Sequence, residues 1–134
     1  MKIEGGCHCG AITYKAEVDP EKTAICHCTD CQKLTGTAFR VTVPVAEDKI
    51  AFSGTPKIYV KVGESGNKRA QGFCAECGSH LFATSVGDGP KVYGLRTGTS
   101  DQREQLVPRK QVWHRSALHW LPEFDSMETV ERQS

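Results

Sequence analysis

Hydrophobic and polar residues alternate with period two in several short stretches of the 134-residue chain. Ile12, Tyr14 and Ala16 fall on one face against Thr13, Lys15 and Glu17 on the other, the pattern of a strand with one buried and one wet side. Segments of this kind at residues 11–18, 37–43, 49–52, 57–62, 80–86 and 91–97 are rich in β-branched and aromatic residues and bounded by Gly, Pro, Asn and Asp, so each reads as a strand. Residues 64–68 and 87–90 read as turns, too short to be domain linkers. Helix is confined to residues 29–34, opened by Thr29 or Asp30 as a cap and ended by Gly36. The pattern predicts a mostly-β fold of antiparallel sheets with very little helix. It forms one domain over residues 1–122, followed by a polar, fraying tail at 123–134.

Composition changes this picture in one respect. Hydrophobic residues make up only 38% of the chain and Gly reaches 13, a modest apolar supply for a turn-rich fold, so something besides burial is expected to hold it. The 17 basic and 16 acidic residues are scattered without a basic stripe, which argues against nucleic acid as a partner and against a zinc ribbon for that purpose. Neither an apolar leader segment nor a run of 18 apolar residues is present, so no export signal or membrane span is expected and a cytoplasmic location follows. In a reducing compartment the 7 cysteines, an odd number, read as metal ligands rather than disulfides.

Their spacing divides them into two sets. Cys74-Ala75-Glu76-Cys77-Gly78 has the spacing of a zinc knuckle. Cys7-His8-Cys9-Gly10 puts two thiols on one face of an extended segment. Together Cys7, Cys9, Cys74 and Cys77 make a closed, structural four-thiolate site, and His8 between two ligands points away. Zinc in such a site contributes about 10 to 16 kcal/mol of apparent binding free energy, much of it folding free energy. The other reading of Cys7 and Cys9, as plain buried thiols, leaves the paired spacing unexplained.

In Cys26-His27-Cys28-Thr29-Asp30-Cys31, Cys26 and Cys28 share a strand face and a turn returns Cys31 to them. With no eighth cysteine, the fourth zinc position falls to water, to substrate, or to His27, His80 or Asp30. A zinc carrying three thiolates is a soft centre and a poor generator of hydroxide. It suits an incoming thiol that attacks an aldehyde.

The strings Gly5-Gly6-Cys7-His8-Cys9-Gly10-Ala11-Ile12, Cys26-His27-Cys28-Thr29-Asp30-Cys31-Gln32-Lys33-Leu34-Thr35-Gly36 and Phe73-Cys74-Ala75-Glu76-Cys77-Gly78-Ser79 resemble the glutathione-dependent formaldehyde-activating enzyme family, also called the centromere protein V type domain. The resemblance covers nearly the whole chain, on through Gly94, Asp101, Pro108 and Trp120. It implies a β-tent fold with two zinc ions per chain: a structural one on Cys7, Cys9, Cys74 and Cys77, and a catalytic one on Cys26, Cys28 and Cys31. It also implies carbon–sulfur lyase activity, forming or cleaving the adduct of glutathione and formaldehyde. Residues 95–101 are longer than the family's usual stretch from glycine to aspartate, so the pocket wall and the substrate are where this chain is expected to differ.

Glutathione carries two carboxylates, so a glutathione site needs cations near the open zinc. Lys33 and Arg40 flank the trithiol in sequence; Arg69 and Arg96 are further candidates, and solvated surface charges are the other reading of all four. Trp113 and Trp120, with Val112, Leu118, Leu121 and Phe124, read as a packing cluster that closes a core. His114 and His119 gain no catalytic role. The alternative to an enzyme is a non-catalytic zinc module that carries glutathione or docks a protein partner.

Overall fold

The computed structural model describes residues 1–133. Strands β1 (Lys2–Gly6), β2 (Thr13–Glu17) and β5 (Ile50–Ser53) form a three-stranded antiparallel sheet in the order β1-β2-β5. Strands β3 (Ala24–Cys26), β4 (Arg40–Ala46), β6 (Lys57–Val62), β7 (Lys68–Phe73), β8 (His80–Ser85), β9 (Val92–Arg96) and β10 (Lys110–Val112) form a seven-stranded sheet ordered β10-β3-β4-β9-β8-β7-β6. The mostly-β reading holds, and each of the six predicted strands forms. Four others carried no alternating signal: β1 ends in two glycines, β3 and β10 have 3 residues each, and β7 reads KRAQGF. One pairing departs from the antiparallel expectation, since β10 returns parallel to β3.

The core lies between the two sheets. Alternation puts Ile3, Tyr14 and Ala16 of the small sheet against Val43, Val45, Phe82 and Leu95 of the large one, with the Phe52 ring centroid 5.3 Å from that of Phe82, tilted, and 5.9 Å from that of Tyr93, edge-on. Pro44 is tolerated within β4 because β3 pairs only with residues Arg40 to Thr42, leaving the far half of β4 without a partner on that side to receive an N–H.

The opposite face of the large sheet is polar. Cys26 pairs with Arg40, Thr42 with Arg96, Gly94 with Ala83, Gln71 with Tyr59 and Arg69 with Lys61, so strict alternation lines these residues across one face. Five interstrand steps of about 4.8 Å would separate β3 from β6 by about 24 Å in a flat sheet. Instead Lys61 on β6 makes a 2.9 Å ion pair with Asp30, just after β3. The sheet therefore curls, with this polar face on the inside.

Helix α1 (Thr29–Thr35) follows β3. Gly36 ends it in the left-handed region at φ 65°, as predicted, but the cap is Cys28 rather than Thr29 or Asp30: its Sγ accepts from the Cys31 N–H at 3.2 Å. The expected tryptophan core does not form. Trp113 is 54% and Phe124 52% exposed, and Trp120 stacks on Phe124 in a 3₁₀ turn (Leu121–Ser126) outside the main core. Too few apolar neighbours reach this segment to bury its rings. The predicted tail begins within this turn, and its last residue, Ser134, lies outside the described residues.

Candidate active site

The first cysteine set is assembled by two matching turns. Cys74 and Cys77 sit on the β7–β8 connection, where the Gly78 N–H donates to Cys74 O at 2.8 Å and the Cys74 N–H to Ser79 O at 2.9 Å. Cys7 and Cys9 follow β1 in a tight turn, not the extended segment expected from their spacing: Gly10 N–H donates to Cys7 O, and Gly10 takes φ 82°. The turns are joined by the His8 N–H donating to Ser79 Oγ at 2.9 Å, while the His8 side chain faces solvent. Cys9 Sγ lies 3.7 Å from both Cys7 Sγ and Cys74 Sγ. Sulfurs bonded at about 2.3 Å to a tetrahedral zinc stand about 3.8 Å apart, so the donor set fits that ion. The Ser79 hydroxyl and backbone hold Cys77 down to about 5, and its thiolate is available at neutral pH.

The second set converges where β3 hands over to α1. Cys26 closes the strand, Cys28 caps the helix and Cys31 lies in its first turn, so the helix cap brings the last two together. Cys31 Sγ is 2.9 Å from Cys28 Sγ and 3.5 Å from Cys26 Sγ. Both cysteine sets bring their sulfurs within 4.8 Å of one another, and each is able to hold a metal ion. Among the described residues no histidine or carboxylate joins the second set. His27 turns away and meets Gln111 Oε1 at 2.7 Å, and Asp30 is engaged by Lys61.

The charges around the trithiol are positive. Arg40 Nε donates to Cys31 Sγ at 2.7 Å and its Nη1 reaches Thr42 Oγ1. Burial, followed by Cys28, pushes Cys31 up to about 12 against the pull of Arg40. Lys61 is drawn upward first by its bond to Asp30 and also by Cys28 and Cys31. Arg96 is 7% exposed, donates to Gln71 Oε1 at 3.1 Å, and is lowered to about 10 by burial and by Arg40. Arg69 lies near enough to Arg40 that burial and this like charge lower it too.

Of the cations singled out from sequence, Arg40, Arg69 and Arg96 therefore share the inner face with the trithiol. Lys33 is exposed on α1. Lys61 takes a position sequence reasoning missed, because β6 lies 30 residues beyond the trithiol and nothing local announces the curl that returns it.

A family model described as glutathione-dependent formaldehyde-activating enzyme matches residues 2–116. An uncharacterized lyase of Schizosaccharomyces pombe is 34% identical over 96 residues, which are 66% of this chain and 63% of that protein. A putative glutathione-dependent formaldehyde-activating enzyme of Halomonas elongata is 27% identical over 88 residues, 61% of this chain and 55% of that protein. The chain thus spans about three fifths of the length of these curated relatives. A crystal structure of a Rhodobacter sphaeroides protein shares the fold with TM-score 0.61 and 17% identity, covering 81% of this chain and 99% of that one. No helix among the described residues is long and apolar enough to cross a membrane.

Proposed function

Because the chain belongs to the glutathione-dependent formaldehyde-activating enzyme family, we propose that it is a zinc-dependent carbon–sulfur lyase acting on the adduct of glutathione, or a related small thiol, with formaldehyde or a related aldehyde. One observation carries this reading: the trithiol of Cys26, Cys28 and Cys31, which no fourth side-chain ligand completes among the described residues, at one end of a cationic inner face. The four sulfurs of Cys7, Cys9, Cys74 and Cys77 support a second, structural zinc, giving two per chain.

Cys26, Cys28 and Cys31 would hold the zinc, which when bound would supply a soft Lewis acid that lowers the pKa of an incoming thiol. Arg40, bonded to Cys31, offsets part of the negative charge that three thiolates concentrate there, and Lys61 adds to it. Together they favour the approach of a substrate that is itself anionic. In the forward direction the thiol loses its proton and the sulfur lone pair forms a bond to the aldehyde carbon. The C=O π pair moves to oxygen, which takes a proton, giving a hydroxyalkyl thioether. Cleavage is the reverse, and neither direction consumes an oxidant.

Magnetization-transfer NMR on formaldehyde, glutathione and their adduct tests the reading. The zinc-loaded protein is expected to accelerate exchange between free and adduct pools, and Cys28→Ser to lose at least tenfold of that acceleration while keeping its fold. Acceleration retained in folded Cys28→Ser would contradict the assignment of the trithiol as the reacting site.

A further inference from the structure

We infer that β6 is a self-pairing edge: two copies of the chain join antiparallel along this strand, about a two-fold axis through Val60, so that their two large sheets become one. β6 ends the seven-stranded sheet, with β7 on one side and no strand on the other. A strand in that place turns a row of N–H and C=O groups outward, a template for a further strand. The other edges are short or covered. β10, at the far end of the same sheet, has 3 residues and β5 has 4. β1 is covered by the segment after β9, through the Gly5–Ser100 bridge and the Asp101 N–H donating to Glu4 O. β6 has 6 residues without proline and pairs with β7 in unbroken register. Among the described residues, none of its backbone groups bonds to a segment other than β7.

Its side chains are those of a strand with a neighbour. Ile58 and Val60 stand opposite Gly72 and Ala70, and Gly72 opposite Phe82, so they extend the core face of the large sheet. Ala70 and Phe82 are buried, whereas Ile58, Val60 and Val62 beyond them are 48%, 43% and 60% exposed. Edge strands that must stay single carry charge, proline or a bulge. Here the charges of β6, Lys57 and Lys61, lie on the other face, and Lys61 is already paired with Asp30 at 2.9 Å.

Pairing β6 against itself identifies the occupant. Opposite residues of an antiparallel pair share a face, so a two-fold axis normal to the sheet must pass through one residue. With the axis at Val60, that valine meets its own copy and Ile58 meets the partner's Val62, which makes a continuous apolar row from both chains. On the other face Tyr59 meets the partner's Lys61, and Lys57 meets the partner's Gly63. Moving the axis one residue to Tyr59 sets Lys57 against the partner's Lys61. Moving it to Lys61 sets that lysine against its own copy. Like charges directly opposite are destabilising, so of these three registers the one at Val60 alone suits both faces.

Pairing along one short edge makes a small interface, so the association is reversible and depends on concentration. Sedimentation velocity of the zinc-loaded full chain from about 5 to about 500 μM spans the affinities expected of it. The mass is expected to rise from that of one chain toward that of two, with amide hydrogen exchange slowing along β6 in parallel. Val60→Glu, which sets two carboxylates face to face at the axis, is expected to weaken association by about tenfold or more. Two double variants that differ at one position test the register. Ile58→Glu with Val62→Glu opposes like charges and is expected to stay monomeric, whereas Ile58→Lys with Val62→Glu opposes unlike charges and is expected to dimerise. All three positions are exposed, so the variants keep the fold and their zinc content.

A chain that stays monomeric across the whole range would overturn the inference. So would a dimer that Val60→Glu leaves unchanged, since it would belong to another surface. Equal behaviour of the two double variants would overturn the register. None of these outcomes bears on the lyase reading, which the trithiol carries.

Discussion

At the residue scale, chemistry was legible in sequence wherever ligands are close neighbours. The Cys74–Cys77 and Cys28–Cys31 spacings announce convergent sulfurs because a turn or a helix cap needs only two intervening residues. His80, Lys61 and Gln71 gave no such signal, since they sit on β8, β6 and β7 and meet the site only after four to six strands of the large sheet have paired. His80 entered the sequence reading as a possible metal ligand. In the fold it belongs to neither cysteine set and lines a cavity together with Arg40 and Arg96. Its folded pKa of about 4 lies below the ordinary 6.5. Its contribution to stability is therefore fully present above pH 6.5 and is lost as pH falls toward 4. An NMR titration of the zinc-loaded protein is expected to place the His80 midpoint near 4, and Arg96→Gln to raise it. A midpoint at 6.5 in the wild type would mean that the ring is solvated and unaffected by the arginines.

At the scale of elements, the helix was foreseen and its cap was not, because cysteine is an uncommon capping residue and its thiol does here what a serine hydroxyl does elsewhere. The strands missed from sequence are the ones whose stability comes from their neighbours. β1 is the clearest case: Gly5 runs against the segment after β9, bridging to Ser100, and a Cβ at Gly5 would stand 2.1 Å from Thr99 O and 2.7 Å from the Tyr14 hydroxyl. Only glycine allows that approach, and it ties the small sheet to the large one next to the turn that carries Cys7 and Cys9. Gly5→Ala is expected to destabilise the zinc-loaded protein by about 1–3 kcal/mol, the usual range for forcing extra volume into a packed site. Urea denaturation measures it; an unchanged midpoint would show that the two sheets can part here without loss.

For the molecule as a whole, the sequence conveyed the mostly-β character and the division of seven cysteines into four and three. It did not convey the curl of the seven-stranded sheet, which depends on long-range pairing and on the Asp30–Lys61 contact between its ends. That curl gives the two cysteine sets different surroundings. Cys7, Cys9, Cys74 and Cys77 join the first turn of the chain to a hairpin 65 residues later and bring four sulfurs within 4.8 Å of one another, a donor set able to hold a metal ion by itself. Cys26, Cys28 and Cys31 offer three sulfurs on a cationic inner face, and under the proposed reading a ligand from outside would supply the fourth donor. Zinc K-edge absorption of the loaded protein, with and without glutathione, examines that difference most directly. An open second centre predicts that the average number of sulfur neighbours per zinc rises toward four when glutathione is added, and that S-methylglutathione, which lacks a free thiol, produces no rise. A sulfur count already at four without thiol, or one that glutathione leaves unchanged, would contradict an open centre and leave the second site a structural one.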